Sequence, residues 1–175
     1  EFVRGEVLEH FDIPSEKVTT IPLAVSENIF RRGDEEIAKY VESSQRPQRY
    51  LLTVSTREPR KNLAGLVRAY AGIDTDLPLL CVGWSGLMKT ELYEEVSRLG
   101  LESRVKFLGH VSDDELALLY SGAVAMIYPS LYEGFGLPIL EAMACGCPVV
   151  CSNKASMPEV AGSAALVVQP DDEVE

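Results

Sequence analysis

Two glutamates, Glu133 and Glu141, flank the sequence Gly134-Phe135-Gly136 within an otherwise apolar stretch. Glycines directly before a helix keep side chains away from the helix N-terminus. Backbone N–H groups and the positive end of the helix dipole can therefore approach an anion closely. Phosphate is the natural ligand of such a turn, so this spacing indicates a phosphate site with a carboxylate on either side.

The two carboxylates need separate explanations. An ionised Glu133 beside a phosphate would repel it, unless the carboxylate accepts hydrogen bonds from hydroxyl groups, which a vicinal diol can donate in pairs. A phosphate flanked by hydroxyl groups describes a nucleotide sugar. The alternatives are a solvated loop glutamate at 133 and, for Glu141, a carboxylate in the first turn of a helix, which the dipole stabilises modestly.

Three cations lie close together in an otherwise acidic chain: Arg57, Arg60 and Lys61. They follow the first predicted strand. Cations at this position can neutralise a bound diphosphate and stabilise a departing one. The alternative is a solvated basic turn.

The elements that must position these residues alternate regularly. Continuous apolar runs, typical of strands buried on both faces of a parallel sheet, predict strands at 49–55, 77–83, 105–109, 123–129, 148–152 and 164–168. Helices are predicted from an Asn62 cap, over 89–99, from a Ser112–Glu115 capping box, and from Pro138 to Gly146. The pattern predicts an α/β fold with a doubly wound parallel sheet, whose ligands bind at the carboxyl ends of the strands.

Residues 1–48 are different. Residues 16–25 could add a strand, and the polar stretch 26–49 predicts a surface helix with loops. At the other end the sequence stops just after a predicted strand, where this fold normally adds a helix. We therefore expect a part of a larger protein.

Composition limits the function. The 175 residues carry a net charge of −11, which disfavours nucleic acid and anionic membranes as partners. Cys81, Cys145, Cys147 and Cys151 lack the spacing of zinc ligands or of a disulfide framework, so we expect buried thiols in a reducing cytoplasm. His10 and His110 are isolated in the sequence. We expect Trp84 to pack rather than to stack on a base.

The stretch YEGFGLPILEAMACGCPVV resembles the E(x7)E segment of the retaining glycosyltransferases of family 4, the group 1 transferases with a two-domain GT-B fold. LLTVSTREPRKNLAGLVRAY and VKFLGHVSDDELALLYSGAVAMIYPS resemble other parts of the family in the expected order. The resemblance covers about residues 49–172. Residues 16–32 also resemble the stretch that joins the two halves of these enzymes.

The resemblance implies a Rossmann-like, donor-binding C-terminal half at 49–175, with an interdomain connecting segment at 1–48. The resemblance implies that Lys61 and the N–H groups of Gly136 and Leu137 bind the diphosphate. Glu133 would be the catalytic contact to the transferred sugar, and Glu141 would bind the ribose. The Val111 backbone would contact the nucleobase, and Gly83, Gly134 and Phe135 would lie around the donor. No metal or cofactor would be required. The partner would be a nucleoside-diphosphate sugar that donates a hexose to an acceptor hydroxyl.

Thr56 occupies a position where many members of this family have an arginine, which leaves open whether Arg57, Arg60 or neither makes that phosphate contact. The acceptor would bind an N-terminal domain that this sequence lacks, so we expect this chain alone to be inactive. We expect the full-length enzyme to be able to associate peripherally with a membrane. The alternatives are a non-catalytic nucleotide-sugar sensor or interaction module of the same fold, or a phosphorylase or epimerase.

Overall fold

The computed structural model describes residues 1–83 and 89–171. Within them, six strands form a single parallel sheet. The strands are β1 (Leu51–Val54), β2 (Leu79–Val82), β3 (Val105–Gly109), β4 (Ala125–Tyr128), β5 (Val149–Ser152) and β6 (Leu166–Val168). Each strand lies inside one of the predicted apolar runs, so the prediction of a doubly wound parallel α/β sheet is confirmed.

The order of the strands is β3-β2-β1-β4-β5-β6. The chain therefore builds outward from β1 in one direction and then returns to build outward from β4 in the other. Leu51 pairs with Leu79 on one side and with Ala125 on the other, which places β1 and β4 side by side. In such sheets a crevice opens beyond the carboxyl ends of the two strands at which the order reverses.

Helices cover both faces of the sheet because side chains alternate between the faces of each strand. On one face, α3 (Leu63–Ala71) and α4 (Lys89–Arg98) pack with Leu79, Cys81 and Val105. On the other, α5 (Asp113–Gly122), α6 (Leu137–Ala144) and α7 (Met157–Ala161) pack with Leu52, Leu80 and Met126. The sheet is thus the middle of three layers and fixes where each connecting loop emerges.

Two predicted helix caps differ from the structure. Ser112 caps α5 by accepting a hydrogen bond from the Glu115 N–H, as predicted, but the Glu115 side chain accepts from the Tyr40 hydroxyl instead of completing a capping box. Asn62 precedes α3, yet its side chain donates to the Pro170 carbonyl at 2.8 Å and does not cap the helix. Contacts from distant parts of the chain have replaced the local cap interactions in both cases.

The N-terminal part contains two α-helices, α1 (Phe2–His10) and α2 (Asp34–Ser44). The surface helix predicted within 26–49 is confirmed by α2, whereas α1 was not predicted. The strand predicted at 16–25 is wrong, since only a 3-10 turn at Ser15–Lys17 forms in this region. Pro22 lacks an N–H for a sheet ladder, and Ile21 before it is 82% exposed.

No helix in the described ranges is long and apolar enough to cross a membrane. All four cysteines are buried and unpaired, which confirms the prediction of core thiols. Burial raises the pKa of Cys81 and of Cys147 to about 12, and it raises the pKa of the other two thiols as well.

We predict that iodoacetamide at pH 8 will label none of these four thiols in the folded protein. The thiolate is the nucleophile, and a pKa of about 12 leaves roughly one thiol in ten thousand ionised at that pH. Mass spectrometry of the cysteine peptides before and after denaturation measures the labelling, and the denatured protein should be labelled at all four. Rapid native labelling of Cys145 or Cys147 would contradict this packing.

Candidate functional site

A cleft of about 530 Å³ opens at the carboxyl ends of β1 and β4, where the order of the strands reverses. Its walls come from the loop after β1, the end of β4, and the turn that leads into α6. The residues that line it are Leu23, Val54, Ser55, Thr56, Glu58, Arg60, Lys61, Gly83, His110, Tyr128, Glu133, Phe135, Gly136, Leu137 and Pro138. Seven of the sequence-predicted candidates therefore lie around one cavity: Arg60, Lys61, Gly83, Glu133, Phe135, Gly136 and Leu137, with His110 beside them.

Glu133 is the centre of this site. Its Oε1 lies 2.5 Å from the Lys61 ammonium and accepts a hydrogen bond of 2.9 Å from the Tyr128 hydroxyl, while its Oε2 accepts from Arg60 Nη1 at 2.9 Å. Glu133 and Lys61 are both under a tenth exposed. The structure thus joins the buried pair of Glu133 and Lys61 to the partly exposed Arg60 in one network.

Backbone contacts hold the loops together beneath this network. Arg60 donates from Nη1 to the Tyr132 carbonyl, and its own carbonyl accepts from the Leu131 N–H at 2.7 Å. The buried Ser156 hydroxyl lies 2.8 Å from the carbonyl oxygens of both Glu133 and Phe135. These contacts fix the Glu133 loop from both sides, so the carboxylate is positioned by the backbone as well as by its ion pair.

The network sets the charge of its members. Burial alone would raise the pKa of Glu133, but the hydrogen bonds from Lys61 and Tyr128 and the charge of Lys61 outweigh it and hold the pKa below its usual value. Burial, together with the neighbouring Glu133 carboxylate, raises the pKa of Tyr128 well above its usual value. At neutral pH the site therefore contains an ionised Glu133 and a neutral Tyr128.

The glycine turn has the geometry that an anion site needs. Gly136 has φ 97°, a left-handed conformation that disfavours any other residue, and α6 starts directly after it at Leu137. Pro138 was predicted to be the first residue of this helix, but it is the second. Pro138 has no N–H, and the Ile139 N–H donates to the Gly136 carbonyl at 3.0 Å, which leaves the N–H groups of Gly136 and Leu137 at the edge of the cleft without an intrahelical acceptor. Gly134, by contrast, lines a neighbouring apolar cavity of about 580 Å³ beside α1.

Gly83 is required for close packing on the opposite wall of the cleft. It has φ 130°, and a Cβ at this position would lie 2.1 Å from the Ser55 carbonyl oxygen. Its N–H donates to the Gly109 carbonyl at 2.8 Å.

Two other predicted residues are not part of the cleft as described. Val111, two residues after Gly109, packs on the core and does not line the cleft. Trp84 lies outside the described residues.

Glu141 occupies a different environment. It is the fifth residue of α6, so the expectation that it lies in the first turn, where the dipole would stabilise it, is wrong. It lies one turn after Pro138, on the same side of the helix, and its Oε2 accepts from the Tyr120 hydroxyl at 2.9 Å. Burial is the main cause that raises the pKa of Glu141, and the charge of Asp113 adds to the effect.

Arg57 points away from the cleft. Its guanidinium lies 4.4 Å from the centroid of the Phe107 ring and 5.1 Å from that of Tyr93, and the residue is only 6% exposed. The structure therefore separates Arg57 from Arg60 and Lys61.

The sequence analysis did not identify Tyr128, whose hydroxyl donates to Glu133 in the cleft. A residue with a polar tip at the carboxyl end of a buried strand is a signal for a residue of a ligand site.

We predict that Glu133→Gln will make folding stability less sensitive to acid. The folded-state pKa of Glu133 is lowered, so its contribution is present above the unfolded-state pKa and is lost as pH falls through the folded value. Between roughly pH 5 and pH 3, the variant should lose about 1 kcal/mol less of its free energy of unfolding than the parent loses. Urea denaturation across this range measures the difference. Glu42→Gln, at an exposed position of α2, is the control, and an equal acid response in all three proteins would contradict the prediction.

We predict that Glu141→Gln will stabilise the fold at pH 7. The folded-state pKa of Glu141 is raised, so the ionised carboxylate is disfavoured above that pKa, while an amide oxygen can still accept from Tyr120. Because the group is only partly buried, we expect a gain of about 2 °C in the melting temperature. The gain should disappear near pH 4, where Glu141 itself takes up a proton. A lower melting temperature at pH 7 would contradict the prediction.

Comparison with known proteins gives consistent matches. The family model described as "Glycosyl transferases group 1" matches residues 34–175. The chain is 42% identical to the O-antigen chain mannosyltransferase B of Escherichia coli over 98% of this chain and 46% of that protein. The chain thus spans about half the length of this relative and 22% of the serotype-specific mannosyltransferase WbdA of Escherichia coli.

Solved structures match over similar ranges. HepE from Anabaena, determined in complex with UDP and glucose, has a TM-score of 0.87 and 25% identity over 97% of this chain and 48% of that chain. The C-terminal domain of a group 1 glycosyl transferase from Francisella tularensis has a TM-score of 0.72 over 86% of this chain and 82% of that chain; its 22% identity makes this a likeness of fold. Together with the family match, these comparisons show that the chain belongs to the group 1 glycosyltransferases.

Proposed function

We propose that this chain is the donor-binding half of a retaining, metal-independent glycosyltransferase of family 4. The enzyme transfers a hexose from a nucleoside-diphosphate sugar to an acceptor hydroxyl. One observation carries the proposal: Lys61 and Arg60 converge on the buried Glu133 in a cleft that ends at the N-terminus of α6. Cations and free N–H groups suit a diphosphate, and the carboxylate beside them suits sugar hydroxyls.

The diphosphate lies between the cations and the helix. Lys61 and Arg60 supply positive charge from the loop after β1, and the N–H groups of Gly136 and Leu137 supply donors from the start of α6. Because Lys61 and Arg60 are already fixed by the Glu133 network and the two N–H groups by the start of the helix, they stabilise the charge of the departing diphosphate with little reorganisation. Arg57, which stacks on Phe107, contributes by shaping the loop.

Glu133 is the catalytic contact to the transferred sugar. Its Oε1 already accepts from Lys61 and Tyr128, whereas its Oε2 accepts only from Arg60 among the described residues. A carboxylate oxygen has two lone pairs, so Oε2 can accept one further bond from a sugar hydroxyl. Ionised Glu133 also stabilises positive charge that develops on the sugar ring as the bond to the diphosphate breaks.

The rest of the donor extends along α6 and the opposite wall. Glu141 accepts hydrogen bonds from the ribose hydroxyls, and the backbone around Val111 contacts the nucleobase. Gly83 and Phe135 line the walls of the cleft. Gly134 allows the loop to turn. HepE, the Anabaena neighbour, was determined with UDP and glucose, which supports a nucleotide-sugar donor here.

The complete enzyme needs more than this chain. We propose that residues 1–48 connect the donor domain to an N-terminal domain that binds the acceptor, and that the isolated chain is inactive. The name of the E. coli relative, a mannosyltransferase, supports transfer of mannose or a related hexose. The free buried thiols fit a cytoplasmic enzyme. The proposal also allows the full-length enzyme to associate peripherally with a membrane. The intact Glu133 network favours an enzyme over a non-catalytic sensor of the same fold.

Calorimetry and turnover of the full-length enzyme test this proposal. GDP and UDP are the binding probes, and GDP-mannose and UDP-glucose are the donors. We expect one nucleoside diphosphate to bind, Lys61→Ala to weaken that binding by tenfold or more because a charged contact is lost, and Glu133→Gln to retain binding while it loses most turnover. Lys106→Ala, at an exposed lysine of β3, is the matched control.

The retaining mechanism and the independence of metal ions are tested by separate measurements. NMR of the glycoside product should show the same anomeric configuration as the donor, and turnover should survive an excess of EDTA. Inversion or loss of activity with EDTA would overturn the respective part. If neither diphosphate binds at millimolar concentration, the donor assignment is wrong.

A further inference from the structure

Glu58 is a carboxylate that lines the proposed diphosphate site, although its charge should repel the ligand. It is not an unattached surface group. Its Oε1 accepts a hydrogen bond of 2.6 Å from the Thr56 hydroxyl, and its Oε2 accepts one of 2.9 Å from Arg60 Nε. Glu58 therefore links an uncharged residue of the loop to one of the two cations of the cleft.

These contacts fix the plane of the Arg60 guanidinium. Glu58 holds it at Nε, and Glu133 and the Tyr132 carbonyl hold it at Nη1. Nη2 has no acceptor among residues 1–83 and 89–171, so it remains available to a ligand. A guanidinium held at two of its nitrogens loses little further side-chain freedom when its third nitrogen binds an anion.

The backbone makes Glu58 suitable for this role. A 3-10 turn at Pro59–Lys61 follows it directly, with a proline in its first position, and Asn62 closes the turn at φ 52°. Residues 58 and 60 are therefore held two apart on a short rigid turn. Thr56 then restrains the Glu58 side chain from the other direction, so the guanidinium is positioned by a chain of contacts that begins at Thr56.

We infer that Thr56 and Glu58 are positioning residues, which hold Arg60 in the orientation that grips the diphosphate of the donor. This inference rests on the proposed function. It means that Glu58 strengthens diphosphate binding despite its negative charge, and that it does so only through Arg60. Thr56 acts one step earlier, through Glu58.

If Glu58 only stabilised the fold, its removal would lower the melting temperature and leave the affinity for the diphosphate unchanged. The Arg60–Glu58 pair is open to solvent, with 42% and 45% of the two side chains exposed, and such pairs contribute little to folding stability. Removing Glu58 should therefore leave the melting temperature nearly unchanged. The effect should be found in ligand affinity and in the KM for the donor rather than in kcat, because Arg60 binds the diphosphate in both ground and transition states.

The test is a double-mutant cycle in the full-length enzyme, with GDP and UDP as calorimetric probes. We expect Glu58→Ala to weaken binding of the diphosphate about tenfold, as the loss of one oriented charged contact predicts. Glu58→Gln, which keeps an acceptor oxygen, should lose less, and Thr56→Val should lose about threefold. In an Arg60→Ala background, Glu58→Ala should have no further effect or should tighten binding, because only its repulsion is then removed.

Glu102→Ala is the matched control, since Glu102 is an exposed carboxylate that accepts a hydrogen bond of 2.7 Å from the Ser97 hydroxyl. It should leave binding unchanged. Unchanged or tighter binding by Glu58→Ala in the parent, or equal weakening with and without Arg60, would overturn the inference. So would unchanged binding by Arg60→Ala in an enzyme that binds a diphosphate, and that result would remove Arg60 from the proposed site but leave the donor assignment with Lys61 and α6 standing. Failure of the parent enzyme to bind either probe would overturn both.

Discussion

The ion pair between Lys61 and Glu133 is the constraint on which the site depends. Both groups are under a tenth exposed, and a buried charge without a partner is strongly destabilising. The pair therefore forces the loop after β1 and the loop after β4 to lie together. Arg60 and Tyr128 complete the shell of the carboxylate, so that the charge of Glu133 is balanced inside the fold before any ligand arrives.

The sheet makes this pair possible. β1 and β4 are neighbours only because the chain reverses its direction of building after β3. Two loops that are about seventy residues apart in sequence then emerge side by side at one edge, as the 2.5 Å contact between residues 61 and 133 requires. The same reversal separates the helices that flank the crevice and leaves room for a ligand. Fold and site are therefore consequences of one topological feature.

The sequence was sufficient for the strands and for seven of the predicted residues of the cleft, but not for Arg57 or Tyr128 and not for the pairing inside the cleft. Apolar runs located all six strands, and the rule for carboxyl ends brought Lys61 and Glu133 to one edge. Their direct contact was not predicted, because it depends on which two strands are adjacent. The sequence could not distinguish Arg57 from Arg60, because only the packing of Arg57 on Phe107 shows that it lies away from the cleft. Likewise Pro22, which has no N–H for a sheet ladder, interrupts the stretch 16–25, whose apolar residues suggested a strand.

Two carboxylates of the same type acquire opposite properties in this structure. Cations and a tyrosine hydroxyl surround Glu133 and lower its pKa, whereas burial raises the pKa of Glu141 in spite of the hydrogen bond from Tyr120. A group that must stay negative beside a developing positive charge needs the first environment. A group that accepts hydrogen bonds from a neutral ribose, the role that we propose for Glu141, does not, and it can remain partly desolvated at a cost in stability. The different roles that we propose for the two acids therefore rest on their surroundings, since their chemistry is identical.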